Sequence, residues 1–90
     1  MGATVVKIKV LPTSPEIDFE EVKEKIKTIL ETKGGNNCSF IEEPIAFGLR
    51  ALIVSFAWPE ELELEEAEEK IKVVEGVSSE QVIDMRRAIG

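Results

Sequence analysis

The sequence predicts an α+β fold of the split βαβ, ferredoxin-like kind: a four-stranded antiparallel sheet with two helices on one face, in a single domain over residues 1–90. Three observations predict it. Short segments rich in β-branched and aromatic residues read as strands, and two intervening segments repeat apolar residues at helical period. Proline or glycine stands at most of the junctions, so the order is βαββαβ. The composition is 43% hydrophobic and 32% charged, which describes a folded core beneath a heavily solvated exterior.

From Val5 to Leu11 the residues alternate, with Val6, Ile8 and Val10 on one face and Val5, Lys7, Lys9 and Leu11 on the other. Pro12 and Pro15 stop this strand, and Asp18 followed by Glu21 has the spacing of a capping box. Phe19, Val22, Ile26, Ile29 and Leu30 then form one apolar stripe of a helix, which Lys33 and Gly34 close. A second strand over Cys38 to Glu43 and a third over Leu49 to Trp58 form a hairpin joined through Pro44 to Gly48. Leu52, Val54, Phe56 and Trp58 share the side expected to meet the helices, while Ala51, Ile53, Ser55 and Ala57 lie on the other. Pro59 ends the strand. Leu64, Ala67, Ile71 and Val74 mark a second helix whose first turns are crowded with glutamates, Gly76 stops it, and Gln81 to Arg86 reads as the last strand before a short basic end. The expected core is Val6, Ile8, Val10, Val22, Ile26, Leu52, Val54, Phe56, Leu64, Ile71 and Val74.

A net charge of -7, from 18 acidic and 11 basic residues, repels phosphate backbones and anionic lipid, so neither nucleic acid nor a membrane is expected as a partner. The longest apolar run, Ala51 to Trp58, is broken by Ser55 and falls far short of the ~20 residues of a membrane-spanning helix. The alternating N-terminus is unlike the continuous apolar run of a secretory signal, and Cys38 has no second cysteine to pair with; a cytoplasmic location is the expectation.

There is no histidine, which removes imidazole catalysis, activation of Cys38 or a serine by histidine, and histidine-ligated metal. The carboxylate pairs Glu42-Glu43, Glu60-Glu61 and Glu65-Glu66 are adjacent in sequence, so their side chains diverge on a strand or helix. Gly34-Gly35 lacks the lysine and serine or threonine of a phosphate-binding loop. No catalytic residue, metal site or cofactor is expected. Two features remain: the aromatic within Ala46-Phe47-Gly48, and the pair Arg86 and Arg87 near the end of an acidic chain. The residues alone leave two readings, contacts for a partner, or a core plug in the hairpin and a solvated terminus.

The run Pro44-Ile45-Ala46-Phe47-Gly48-Leu49-Arg50-Ala51-Leu52 resembles the signature of the exchange domain of the elongation factor 1-beta family. Val10-Leu11-Pro12 followed by Ser14-Pro15-Glu16-Ile17-Asp18 is similar to that family's first strand and acidic helix entry, and Val82 to Arg87 to its terminal strand. The resemblance spans essentially the whole chain, and the length of 90 residues fits the archaeal form. It implies a guanine-nucleotide exchange factor that binds elongation factor 1-alpha in its GDP-bound or nucleotide-free state and promotes replacement of GDP by GTP, without making or breaking bonds. It further implies that Phe47, flanked by Ala46 and Gly48, docks on the partner, and that a basic residue near the C-terminus, Arg87 beside Arg86, reaches toward the partner's magnesium and phosphates. Two departures from eukaryotic relatives stand out: arginine replaces their terminal lysine, and Glu42 and Glu43 occupy more apolar positions. The alternative is a non-catalytic binding or oligomerisation module that uses Val5, Ala51 and Ile53 on the open sheet face. An aromatic meant for a partner is expected to be exposed in the free protein.

Overall fold

The computed structural model describes residues 2–88, apart from the side chain of Ala88. Its elements are β1 (Ala3–Pro12), α1 (Phe19–Thr32), β2 (Asn36–Pro44), one 3-10 turn (Ala46–Gly48), β3 (Arg50–Pro59), α2 (Glu65–Lys72) and β4 (Val77–Ala88). The strands form one sheet in the order β2-β3-β1-β4, every neighbouring pair antiparallel. Alternate residues of the two central strands, Val6, Ile8 and Val10 with Leu52, Val54, Phe56 and Trp58, pack with Val22, Ile26 and Leu30 of α1 and with Ala67 and Ile71 of α2 in one core. Both helices therefore cover the same face, as the order βαββαβ predicts.

Local chemistry sets the helix ends. Asp18 caps α1 by accepting the Glu20 backbone N–H at 3.0 Å, and Glu20 and Glu21 place negative charge in the first turn, where the helix dipole favours it. At the other end Gly34 adopts a φ of 113°, its N–H donates to the Glu31 carbonyl, and Gly35 donates to Leu30 at 2.8 Å. These two bonds make the glycine stop that Lys33-Gly34 foretells. Ile8, Ile26, Leu30, Leu52 and Ile71 are fully buried, and each such side chain contributes about 1.5–3 kcal/mol relative to exposure.

Three expectations are adjusted. β4 begins at Val77 rather than Gln81, because β1 offers pairing partners as far as Pro12 and draws Ser79 and Glu80 into the ladder despite their polarity. Between Lys7 opposite Asp84 and Ile8 opposite Val82 the register shifts, leaving Ile83 as the extra residue of a bulge. Leu64 is only half-buried, since it caps α2 and packs at the rim of the core. Ala51 and Ile53 do lie on the open sheet face, yet both are buried: Ile53 sits on a central strand between Ile41 of β2 and Lys9 of β1.

Candidate functional site

β3 leaves its pairing with β1 at Leu52 opposite Val10, whereas its pairing with β2 continues to Arg50 opposite Pro44. Beyond that rung β2 and β3 pair only with each other, so the end of the hairpin is a two-stranded arm. Its tip is closed by the Ile45 N–H donating to the Leu49 carbonyl at 2.9 Å and the Leu49 N–H donating to Ala46 at 3.2 Å. Phe47 (φ 61°, ψ 32°) and Gly48 (φ 75°) both take positive φ, the condition under which a tight turn matches the twist of the flanking strands. Glycine adopts this conformation freely. Phenylalanine does not, and its Cβ clash costs about 1–2 kcal/mol. The ring is 94% exposed, so it is not a plug in the core. Backbone strain opposes folding, and the ring, solvated in the folded and unfolded chain alike, makes no contact within the chain that offsets it.

The root of the arm carries a charge cluster. Glu42 accepts from Arg50 Nη1 at 3.1 Å and from Lys23 Nζ of α1 at 3.4 Å, and Lys23 also lies 3.6 Å from Glu20. The Arg50 hydrogen bond, with Lys23 after it, holds the Glu42 carboxyl below its ordinary range. Beside the cluster a cleft of about 450 Å³ opens between the end of β1, the start of α1 and the arm, lined by Pro12, Asp18, Phe19, Glu42, Gly48 and Arg50.

Arg86 and Arg87 belong to β4 itself, not to a tail beyond it. Successive strand residues face opposite ways, so the two cations diverge. Arg86 lies opposite Val5 on the open face and pairs with Asp84 at 3.1 Å. Arg87 lies opposite Thr4 on the helix face, where its Nε donates to Glu60 at 2.7 Å. Thr4 in turn pairs with Trp58, eight residues along β3 from Arg50. At a rise near 3.3 Å per residue, that interval is about 26 Å. Phe47 and Arg87 therefore occupy opposite ends of the sheet, and the fold does not bring them together.

Two further groups are unusual. Burial, and after it the neighbouring Glu31, pushes the Cys38 thiol up, away from a reactive thiolate. Burial, with Glu68 of α2 second, raises the Glu80 carboxyl to about 7, and its Oε2 is enclosed without a hydrogen-bond partner. Among the described residues no group of three or more histidine, cysteine, aspartate or glutamate side chains could hold a metal ion, and no helix is long and apolar enough to cross a membrane. The pairs Lys23–Glu42, Arg87–Glu60 and Glu68–Glu80 escaped sequence reasoning because each joins residues far apart in the chain at no diagnostic spacing.

The family described as the EF-1 guanine nucleotide exchange domain matches residues 5–88. Similar proteins named elongation factor 1-beta include that of Methanosarcina acetivorans, 46% identical over 88 residues that cover 97% of this chain and 99% of the relative. That of Methanosarcina barkeri is 44% identical with the same coverage of both chains. A third, from Methanothermobacter thermautotrophicus, is 42% identical over 97% of this chain and 98% of its own length. With a match over nearly the whole chain, and archaeal relatives of the same length, the chain belongs to the EF-1 guanine nucleotide exchange domain family.

Proposed function

We propose that this protein is a cytoplasmic guanine-nucleotide exchange factor for translation elongation factor 1-alpha, acting with no cofactor of its own and without bond-making chemistry. The observation that carries the reading is Phe47, an aromatic held in a left-handed turn and 94% exposed at the tip of the two-stranded arm. A residue whose strain no contact within the chain offsets is supported by what it gains in a complex, where a buried aromatic anchor supplies much of the binding energy. Family membership supplies the partner.

Exchange requires tighter binding to the opened or nucleotide-free GTPase than to the nucleotide-bound one, because a ligand shifts an equilibrium only by its differential affinity. Phe47 with Ala46 and Gly48 serves as the anchor at one end of the sheet. At the other, Arg87 presents a cation toward the GTPase's magnesium and phosphates, with Arg86 on the opposite face as a bystander to that contact. The separation divides the labour: the arm sets affinity, and the distant cation favours the state in which GDP leaves. Release of labelled GDP from elongation factor 1-alpha, followed with and without this chain, tests the reading. Accelerated release that Phe47→Ala weakens is the expected result. An unchanged release rate at saturating protein overturns it.

A further inference from the structure

The arm that carries Phe47 is the end of the β2–β3 hairpin beyond its pairing with β1. Arg50 and Ala51 have lost β1 as a neighbour and pair with β2 alone, and β2 is an edge strand. A cleft of about 450 Å³ lies between Gly48 and Arg50 of the arm and the end of β1 and the start of α1. The side-chain link from the root of the arm to α1 is ionic. Glu42, on the helix-facing side of β2, takes Arg50 of β3 at 3.1 Å with one oxygen and Lys23 of α1 at 3.4 Å with the other. One carboxylate thereby ties both strands of the arm to the first helix.

We infer that Glu42 is a positioning residue for the Phe47 anchor, bracing the hairpin arm against α1 through Arg50 and Lys23 so that the aromatic meets its partner already aimed. The inference rests on the docking role proposed for Phe47. Its physical basis is preorganisation: an arm free to swing loses that freedom on binding, and a braced one has lost it beforehand. An exposed ion pair adds little to global stability, so the brace acts on the orientation of the arm and leaves the fold almost unchanged. Its signature is a change in affinity for the GTPase with the rate in the saturated complex preserved.

The test is a titration of this chain against GTPase loaded with labelled GDP. Glu42→Gln, which keeps the shape and removes the charge, is expected to raise the half-saturating concentration about threefold to tenfold while the saturating rate stays within about twofold. Lys23→Gln cuts the same bridge from the helix side and is expected to shift the curve in the same direction. Combined with Phe47→Ala, Glu42→Gln is expected to add no further shift, since a brace has no effect once the group it aims is gone. Melting curves confirm that each variant is folded. A wild-type titration curve for both bridge variants overturns the inference, as does an effect that adds in full to that of Phe47→Ala. Those outcomes leave the docking role intact if Phe47→Ala itself weakens exchange. Wild-type exchange by Phe47→Ala removes the docking role and this inference together.

Discussion

The two ends of the sheet make opposite use of the same fold. At the hairpin end the chain tolerates what a stable domain avoids: a phenylalanine at φ 61°, a fully solvated ring, and strands that part from their neighbour. At the arginine end β1, β3 and β4 are paired side by side out to their last residues, and each cation has a carboxylate, Asp84 for Arg86 and Glu60 for Arg87. The difference teaches where a physical reading of function is strong. Strain and exposure at the tip have no structural beneficiary, whereas a paired arginine at a strand end satisfies itself and looks ordinary.

The largest effect is expected at the tip. Phe47→Ala should raise the half-saturating concentration for GDP release at least about tenfold, the consequence of losing a hot-spot aromatic. Phe47→Gly should lose binding similarly while being neutral to about 1 kcal/mol more stable in thermal melting, because it relieves the left-handed strain. A tip variant that lost stability instead would place the ring's role inside the domain and erase the contrast between the ends.

At the opposite end, Arg87→Ala should lower the saturating exchange rate by about threefold to tenfold, with little change in half-saturation and a melting temperature close to wild type, since an exposed ion pair is worth about 1 kcal/mol or less. The defect should shrink as magnesium is lowered, when displacement of the ion is no longer required. Arg87→Lys, which exchanges a planar fork for a point charge, should retain much of the activity. Normal exchange by Arg87→Ala at every magnesium level would show a solvated strand end.

A difference in pH response separates the ends further. Glu80 lies opposite Val10 near the hairpin end, facing Glu68, Glu69 and Lys72 of α2, and its carboxyl is raised from 4.5 to about 7. Between those values the folded protein holds a proton that the unfolded chain has released. Folding therefore weakens as pH rises through this window and levels off above about 7. Because Glu80 is partly solvated, the change is about 1 kcal/mol after allowance for screening, or a melting temperature about 4–8 °C lower at pH 8 than near pH 5. Glu80→Gln should remove most of that slope; a slope that survives the substitution assigns it to other groups. The smallest effect belongs to Arg86→Ala, which should change exchange by less than about twofold and stability by less than about 0.5 kcal/mol, as its side chain faces the open sheet away from Arg87.

Much of the fold was legible because it rests on local periodicity. Val6, Ile8 and Val10 alternate, Val22, Ile26 and Leu30 recur at helical spacing, and Lys33-Gly34 marks a stop; each reports a preference that neighbours in the chain enforce by themselves. By the same logic the sequence alone determined the element order and the buried stripes, while the exclusion of other chemistry left Phe47, Arg86 and Arg87 as candidates. Only the tertiary structure decided the rest. Whether Phe47 plugs the core or projects from it depends on where β3 parts from β1. Which of two adjacent arginines faces the helices depends on the register of β4, which a single bulge at Ile83 resets. That Glu42 reaches Lys23 and that Glu80 faces Glu68 follows from α1 and α2 crossing particular rungs of the sheet. Burial, register and long-range ion pairs are properties of segments brought together from distant parts of the chain, and no spacing within a single segment encodes them.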